Sequence, residues 1–238
     1  MLRNSILSAI VFVPLLFSGL VILTGCEKGY DSPVYHPVPD SVTDIDGYIY
    51  HTVKIGTQAW LVENLKTMHY RNGDPVDLVN GIPEWGTVKT GASCAYNNDE
   101  SSVAIFGRLY NWYAASDKRN LCPSGWHIPA EPEWKILMDY LGGELAAGGK
   151  LKSTGSAYWY APNTDATNNS GFTALPSGYR NDTGVFANRR FSAIFWSSTQ
   201  LDSTHAWYRY LYANYGGMYK DYYHNKSHGF SIRCIMDN

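Results

Sequence analysis

The sequence predicts an α+β domain in which two short helices pack on antiparallel sheet and long loops join them. Three observations carry that expectation. Helical periodicity is confined to the first half of the 238 residues. From residue 158 onward, two-residue alternation broken by Asn and Gly turns takes over. Turn formers are abundant, with 22 Gly and 11 Pro. Composition sets the outer bounds. Aromatic residues make up 15% and include 19 Tyr, which excludes a disordered chain. Charged residues are only 17%, with a formal net charge of −2. No basic excess exists to neutralise phosphates, so nucleic acid is not an expected partner.

The chain opens with Arg3, then an apolar run over residues 6–22 broken only by Ser8, Pro14, Ser18 and Gly19. Leu23-Thr24-Gly25-Cys26 follows: an apolar residue, two small residues and a Cys. Small residues let a peptidase seat the backbone, and the thiol takes up diacylglycerol. The segment resembles a bacterial lipoprotein signal, which implies loss of residues 1–25 and lipid attachment at Cys26. A membrane-spanning helix is the alternative, since about 17–20 apolar residues can cross a bilayer. Cleavage removes Arg3 and no acid, taking the charge from −2 to −3. Residues 26–40 contain Gly29, Pro33, Pro37 and Pro39 and no apolar period, the pattern of an extended tether. Residues 41–238 remain as a single domain. The expected location is the cell envelope, on the periplasmic or surface face of a membrane.

Export places Cys94, Cys122 and Cys234 in an oxidising compartment. Three thiols allow one intrachain disulfide in three pairings. Position favours Cys122 with Cys234, one just before a helix and the other in the last strand. That bond would close a loop of about 110 residues, worth roughly 4–5 kcal/mol in the chain-entropy picture. Cys94 is then left as a small buried hydrophobe. No CxxC or Cys/His spacing points to zinc.

Asp46-Gly47 marks a turn, and residues 48–55 alternate as a strand. Gly56-Thr57-Gln58 turns into a second strand over 59–62, giving a hairpin. Residues 107–116 carry Leu109, Tyr110, Trp112, Tyr113 and Ala114 without a breaker, which predicts a short helix. The second helix is better marked. Trp134, Leu137, Met138 and Leu141 form one stripe, Pro132 suits the first turn, and Glu131 and Glu133 suit the positive dipole end. Ala130 stands where a capping Ser or Thr would be expected, and Gly142-Gly143 ends the helix. Strands are then predicted over 191–197, 205–212, 218–224 and 231–236, with a turn at Asn214-Tyr215-Gly216-Gly217.

Several blocks together carry a family likeness: Gly107-Arg108-Leu109-Tyr110-Asn111-Trp112, Cys122-Pro123-Ser124-Gly125-Trp126-His127 and Gly171-Phe172-Thr173-Ala174-Leu175-Pro176. Phe195-Trp196-Ser197-Ser198-Thr199 and Ser231-Ile232-Arg233-Cys234 complete the set. From about residue 44 to 237 the chain resembles the Fibrobacter succinogenes major paralogous domain. That family looks like a distant branch of the C-type lectin-like fold, beside formylglycine-generating enzymes and the variable proteins of diversity-generating retroelements. The resemblance independently implies the Cys122–Cys234 pairing. It brings no common activity. Many relatives carry a second Cys before the Gly107 block. Residues 101–106 hold none here, so Cys94 is expected to be unpaired. The Glu-Pro-Asn and Trp-Asn-Asp runs of calcium-dependent lectins are absent, and the Cys pair of formylglycine-generating chemistry is not present near the end.

The tyrosines between 205 and 223 are the strongest candidate site. Alternation assigns Trp207 and Leu211 inward and Tyr208, Tyr210 and Tyr212 outward. With Tyr215, Tyr219 and Tyr222 they would form a surface of rigid, amphipathic rings suited to a glycan or a protein ligand. A core built from Tyr is the competing reading. The Tyr, Asn, His and Asp pattern over 204–228 also resembles a retroelement-diversified region. No cofactor is expected. Asn163, Asp165, Asn168 and Asn169 offer oxygens for calcium, but only one is a carboxylate, and turns explain them. His127 is expected to be packed and satisfied by backbone, and Glu131 and Glu133 to point apart rather than act as a pair. Arg108, Arg180 and Arg233 are expected as buried hydrogen-bonders. The expected function is a lipid-anchored binding or adhesion module. A carbohydrate-active or other enzyme, and a structural envelope component, are the alternatives.

Overall fold

The computed structural model describes residues 37–237, so the signal segment 1–25, the lipid-attachment residue Cys26 and residues 27–36 of the tether lie outside the described residues. The N-terminal elements are β1 (Ser41–Thr43), β2 (Ile49–Ile55) and β3 (Gln58–Leu61), the last two forming the expected hairpin around Gly56 at φ +62. Next come β4 (Asp77–Leu78), α1 (Ile82–Thr87), β5 (Ala92–Cys94), α2 (Val103–Phe106), β6 (Leu109–Tyr110) and α3 (Trp112–Ala115). Then follow β7 (Trp126–His127), α4 (Glu131–Tyr140), α5 (Glu144–Leu151), β8 (Tyr179–Arg180) and β9 (Phe186–Ala187). The chain ends with β10 (Ser192–Gln200), β11 (Ala206–Tyr212), β12 (Tyr219–Asp221) and β13 (Ile235–Met236).

The mixture is α+β. One sheet runs β1-β2-β3-β13-β7, so the last strand enters between the first hairpin and β7. A three-stranded antiparallel sheet, β10-β11-β12, forms the second half. Cys122 and Cys234 are disulfide-bonded, with Cα atoms 6.0 Å apart, and Cys94 is free and buried.

The sheet β10-β11-β12 lies between two cores. On one side Phe195 and Leu211 join Trp60, Trp134, Leu137 and Phe172. On the other, Trp196 and Tyr208 join Trp112, Trp126 and Phe230. Trp60 and Trp134 meet at 4.8 Å between ring centroids, and Trp134 and Phe195 at 5.9 Å. The predicted stripe of α4 therefore finds its partner on β10.

Three expectations need correction. Residues 107–116 are not one helix. Leu109 and Tyr110 are extended and pair with Cys94 and Ser93, and helix resumes only at Trp112, capped by Asn111 through the amide of Ala114. Gly107 at φ +72 ends α2 just before this pair, and a Cβ there would stand 2.7 Å from the Asn64 side chain. Second, a helix absent from the sequence reading, α5, follows α4 directly. Third, residues 231–236 pair as a strand only at Ile235–Met236. The absent cap of α4 is supplied from elsewhere: Thr199 Oγ1 accepts the amide of Glu131 at 3.0 Å, and Glu133 accepts that of Ala130 at 2.8 Å.

Candidate ligand-binding site

Strand register decides which tyrosines meet. Directly opposed residues of an antiparallel pair share a face. Tyr210 opposes Tyr219, and Tyr208 opposes Asp221, which puts Tyr208, Tyr210, Tyr212 and Tyr219 on one face of β11–β12. The turn at 213–217 brings Tyr215 to the same group. Ring centroids are 5.0 Å apart for Tyr210–Tyr212, 5.7 Å for Tyr210–Tyr219, 6.2 Å for Tyr212–Tyr215 and 6.4 Å for Tyr215–Tyr219. The four rings enclose an open cleft of about 310 Å³ with no charged residue in its lining.

A buried lysine fixes this geometry. Lys152 is fully buried and its Nζ donates to the carbonyls of Thr164, Tyr212 and Tyr215, at 2.7, 3.1 and 2.8 Å. It ties both ends of the tyrosine turn to the loop after α5. Two glycines let α5 approach. A Cβ on Gly148 would lie 2.1 Å from the Gly217 carbonyl oxygen, and one on Gly149 would lie 2.2 Å from that of Asp165. On the cleft side, burial raises the phenol pKa of Tyr210 and Tyr212, so both hydroxyls stay neutral in ordinary buffers. They present rings and neutral hydroxyls, not charge.

The expected row of outward tyrosines is corrected at two positions. Tyr208 is only 3% exposed and packs on Phe230 at 5.1 Å and Trp196 at 6.1 Å. It is buried because the segment bearing Phe230 crosses over it. Tyr222 belongs to the opposite face, edge-on to Trp207 at 5.0 Å. That face is not purely inward, since Trp207 is half-buried. It also carries buried Arg209, which bonds Glu131 at 2.7 Å and Glu144 at 3.1 Å.

Residues that the sequence reading passed over extend the aromatic band. Phe191 stacks on Tyr212 at 5.3 Å. At the other end His224 stacks on Tyr208 at 5.2 Å and meets His228, tilted, at 4.4 Å. Burial pulls His228 down to about 4 and lowers His224, so both imidazoles are neutral near pH 7. The alternation could not have shown these partners, because they arrive from other segments.

The remaining candidates are engaged in contacts within the fold. His127 bonds two carboxylates, Nε2 to Glu133 at 2.8 Å and Nδ1 to Asp237 at 2.5 Å, which corrects the expected backbone partner. The bond to Glu133 raises its pKa. Glu131 and Glu133 do point apart, to Arg209 and His127. Arg108, Arg180 and Arg233 are buried; Arg233 donates to Asn64 and to the carbonyls of Leu61 and Phe172. Asn163, Asp165 and Asn168 adopt positive φ, as turn residues do, and Asn163 donates to the Ser153 carbonyl at 2.9 Å. Among the described residues, no group of three or more His, Cys, Asp or Glu is placed to hold a metal ion.

Residues 53–236 match the Fibrobacter succinogenes major domain, and the chain belongs to that family. No curated protein and no solved structure matches the chain.

Proposed function

We propose that this member of the Fibrobacter succinogenes major domain family is a lipid-anchored envelope protein that binds a glycan or a surface protein in its tyrosine cleft. The observation that carries the reading is the convergence of Tyr210, Tyr212, Tyr215 and Tyr219 around one uncharged cleft of about 310 Å³. That volume is at the low end for ligand sites, and suits one or two sugar rings or one projecting side chain. Tyrosine rings stack on the apolar faces of sugars while their hydroxyls meet the polar edges. A C-type lectin-like fold is part of the same reading. Its support is the pairing of β13 with β3 near the start of the domain and the Cys122–Cys234 bond beside that pairing.

The test is a glycan and surface-protein binding screen of the full-length protein, followed by the double variant Tyr212→Ala, Tyr215→Ala. Binding should fall at least about tenfold, the equivalent of roughly 1.4 kcal/mol, with the fold intact. A double variant that binds as well as the parent removes the cleft from the reading. Anchoring has its own test. Cys26→Ala should release the protein from membranes, because a diacylated Cys supplies the two chains that stable attachment needs. Retention of the unlipidated variant in the membrane would favour a spanning helix.

A further inference from the structure

A second site lies beside α3, and it shares no residue with the tyrosine cleft. Two depressions, of about 240 Å³ and about 490 Å³, adjoin through Lys89 and Tyr113. No carboxylate side chain lines the smaller one. The larger one contains Asp117, but Arg119 already holds that group with Nε at 3.0 Å and a terminal nitrogen at 2.8 Å. Lys89, Lys118 and Lys226 thus line one trough with no ion-pair partner among the described residues. This concentration of positive charge stands out in a chain whose net charge is −2.

The smaller depression is built rather than accidental. Lys226 is 4% exposed, and its Nζ donates to the carbonyls of Asp202 at 2.7 Å and Ser203 at 3.1 Å. The same Nζ sits 4.5 Å from the centre of the Trp112 ring. Asp202 acts on Lys226 by its charge but makes no ion pair with it, its carboxylate being held by the amides of Thr204 and His205. A buried ammonium without a directly bonded anion is costly to the fold, and an incoming anion offsets that cost. Lys89 Nζ uses one donor on Ser227 Oγ at 3.1 Å, which leaves two N–H groups. Half-buried Tyr113 lies between the two depressions.

We propose that this trough binds an acidic polysaccharide. Lys89 and Lys226 would take one anionic group, Lys118 a second, and Tyr113 would stack on the sugar ring between them. The shared chemistry is an oxyanion on a sugar chain, whether carboxylate, sulfate or phosphate. Lysine suits it as a compact charge that needs no bidentate geometry.

The experiment uses the full-length protein in detergent with dextran sulfate, uncharged dextran, and phosphatidylglycerol–phosphatidylcholine vesicles as probes. Dextran sulfate should bind and uncharged dextran should not. Lys89→Gln with Lys118→Gln, both at exposed positions, should weaken binding at least about tenfold and lower the salt slope by about one per lysine. Lys89→Arg should retain binding, and Tyr212→Ala with Tyr215→Ala should leave it unchanged, which keeps this site separate from the cleft. Three outcomes overturn the proposal: equal binding of both dextrans, no effect of the lysine pair, or binding to the anionic vesicles alone.

Discussion

Tyr208 and Tyr215 carry the same side chain on one aromatic band and act differently, because one is 3% and the other 51% exposed. Tyr208→Ala opens a cavity against Trp196 and Phe230 and should cost about 3–5 kcal/mol, as large aromatic truncations do. Tyr215→Ala should change stability by no more than about 0.5 kcal/mol while weakening the ligand. Denaturant unfolding of the two variants measures both; equal costs would mean that the band is not layered as described. His127 gives a pH signature. Its bond to Glu133 raises its pKa above the ordinary 6.5, so its contribution is fully present below pH 6.5. That contribution disappears as pH rises through the raised value. Burial lowers His228 instead, to about 4, so its cost to stability builds up as pH falls from 6.5 to 4 and stays below that. Comparing the parent with His127→Gln cancels the His228 effect. The difference in melting temperature should be largest near pH 5–6 and shrink toward pH 9. The effect is modest, because His127 is one-third exposed and its ion pairs are screened. A difference that grows with pH would contradict the assignment.

Helix α5 shows why a glycine can belong inside a helix. Alanine in place of Gly148 gains helix propensity of about 1 kcal/mol. Its Cβ would meet the Gly217 carbonyl oxygen at 2.1 Å, a backbone atom that cannot swing aside. The contact should win, so Gly148→Ala is expected to destabilise by about 1–3 kcal/mol and to disturb the tyrosine turn. A variant more stable than the parent, with ligand binding intact, would show that α5 does not seat the turn. The same glycines hid this element in the sequence, where Gly148-Gly149 reads as a break. The stripe of Trp134, Leu137 and Met138 made α4 legible, because its period survives whatever it packs against. Residues 107–116 misled in the opposite sense: nothing local marks Leu109–Tyr110 as extended, and that state comes from pairing with Ser93 and Cys94. For the site, alternation placed Tyr210 and Tyr212 on one face, and the strand register then brings Tyr219 to them. It could not show that Phe230 covers Tyr208, or that Lys152 holds the turn from far along the chain.

At the scale of the molecule, the Cys122–Cys234 bond joins the middle of the chain to its end across a separation of 112 residues. Strand β13 is only two residues long yet sits inside the first sheet, paired with both β3 and β7. The bond acts beside that pairing, together with the amides of Leu61 and Leu65, which donate to the carbonyls of Cys234 and Ile232, and buried Arg233, which donates to Asn64 and Phe172. In the chain-entropy picture a loop of this length is worth roughly 4–5 kcal/mol. Replacing both cysteines by serine should therefore lower the melting temperature by on the order of 10 °C for a domain of this size. Thiol labelling adds a second readout. Burial pushes the Cys94 thiol up to about 12, so it is neither ionised nor reachable at neutral pH. The native lipidated protein should label at no cysteine, and the denatured, unreduced protein at Cys94 alone. Rapid labelling of Cys122 or Cys234 in the native protein would show that the terminus is held by packing rather than by the bond.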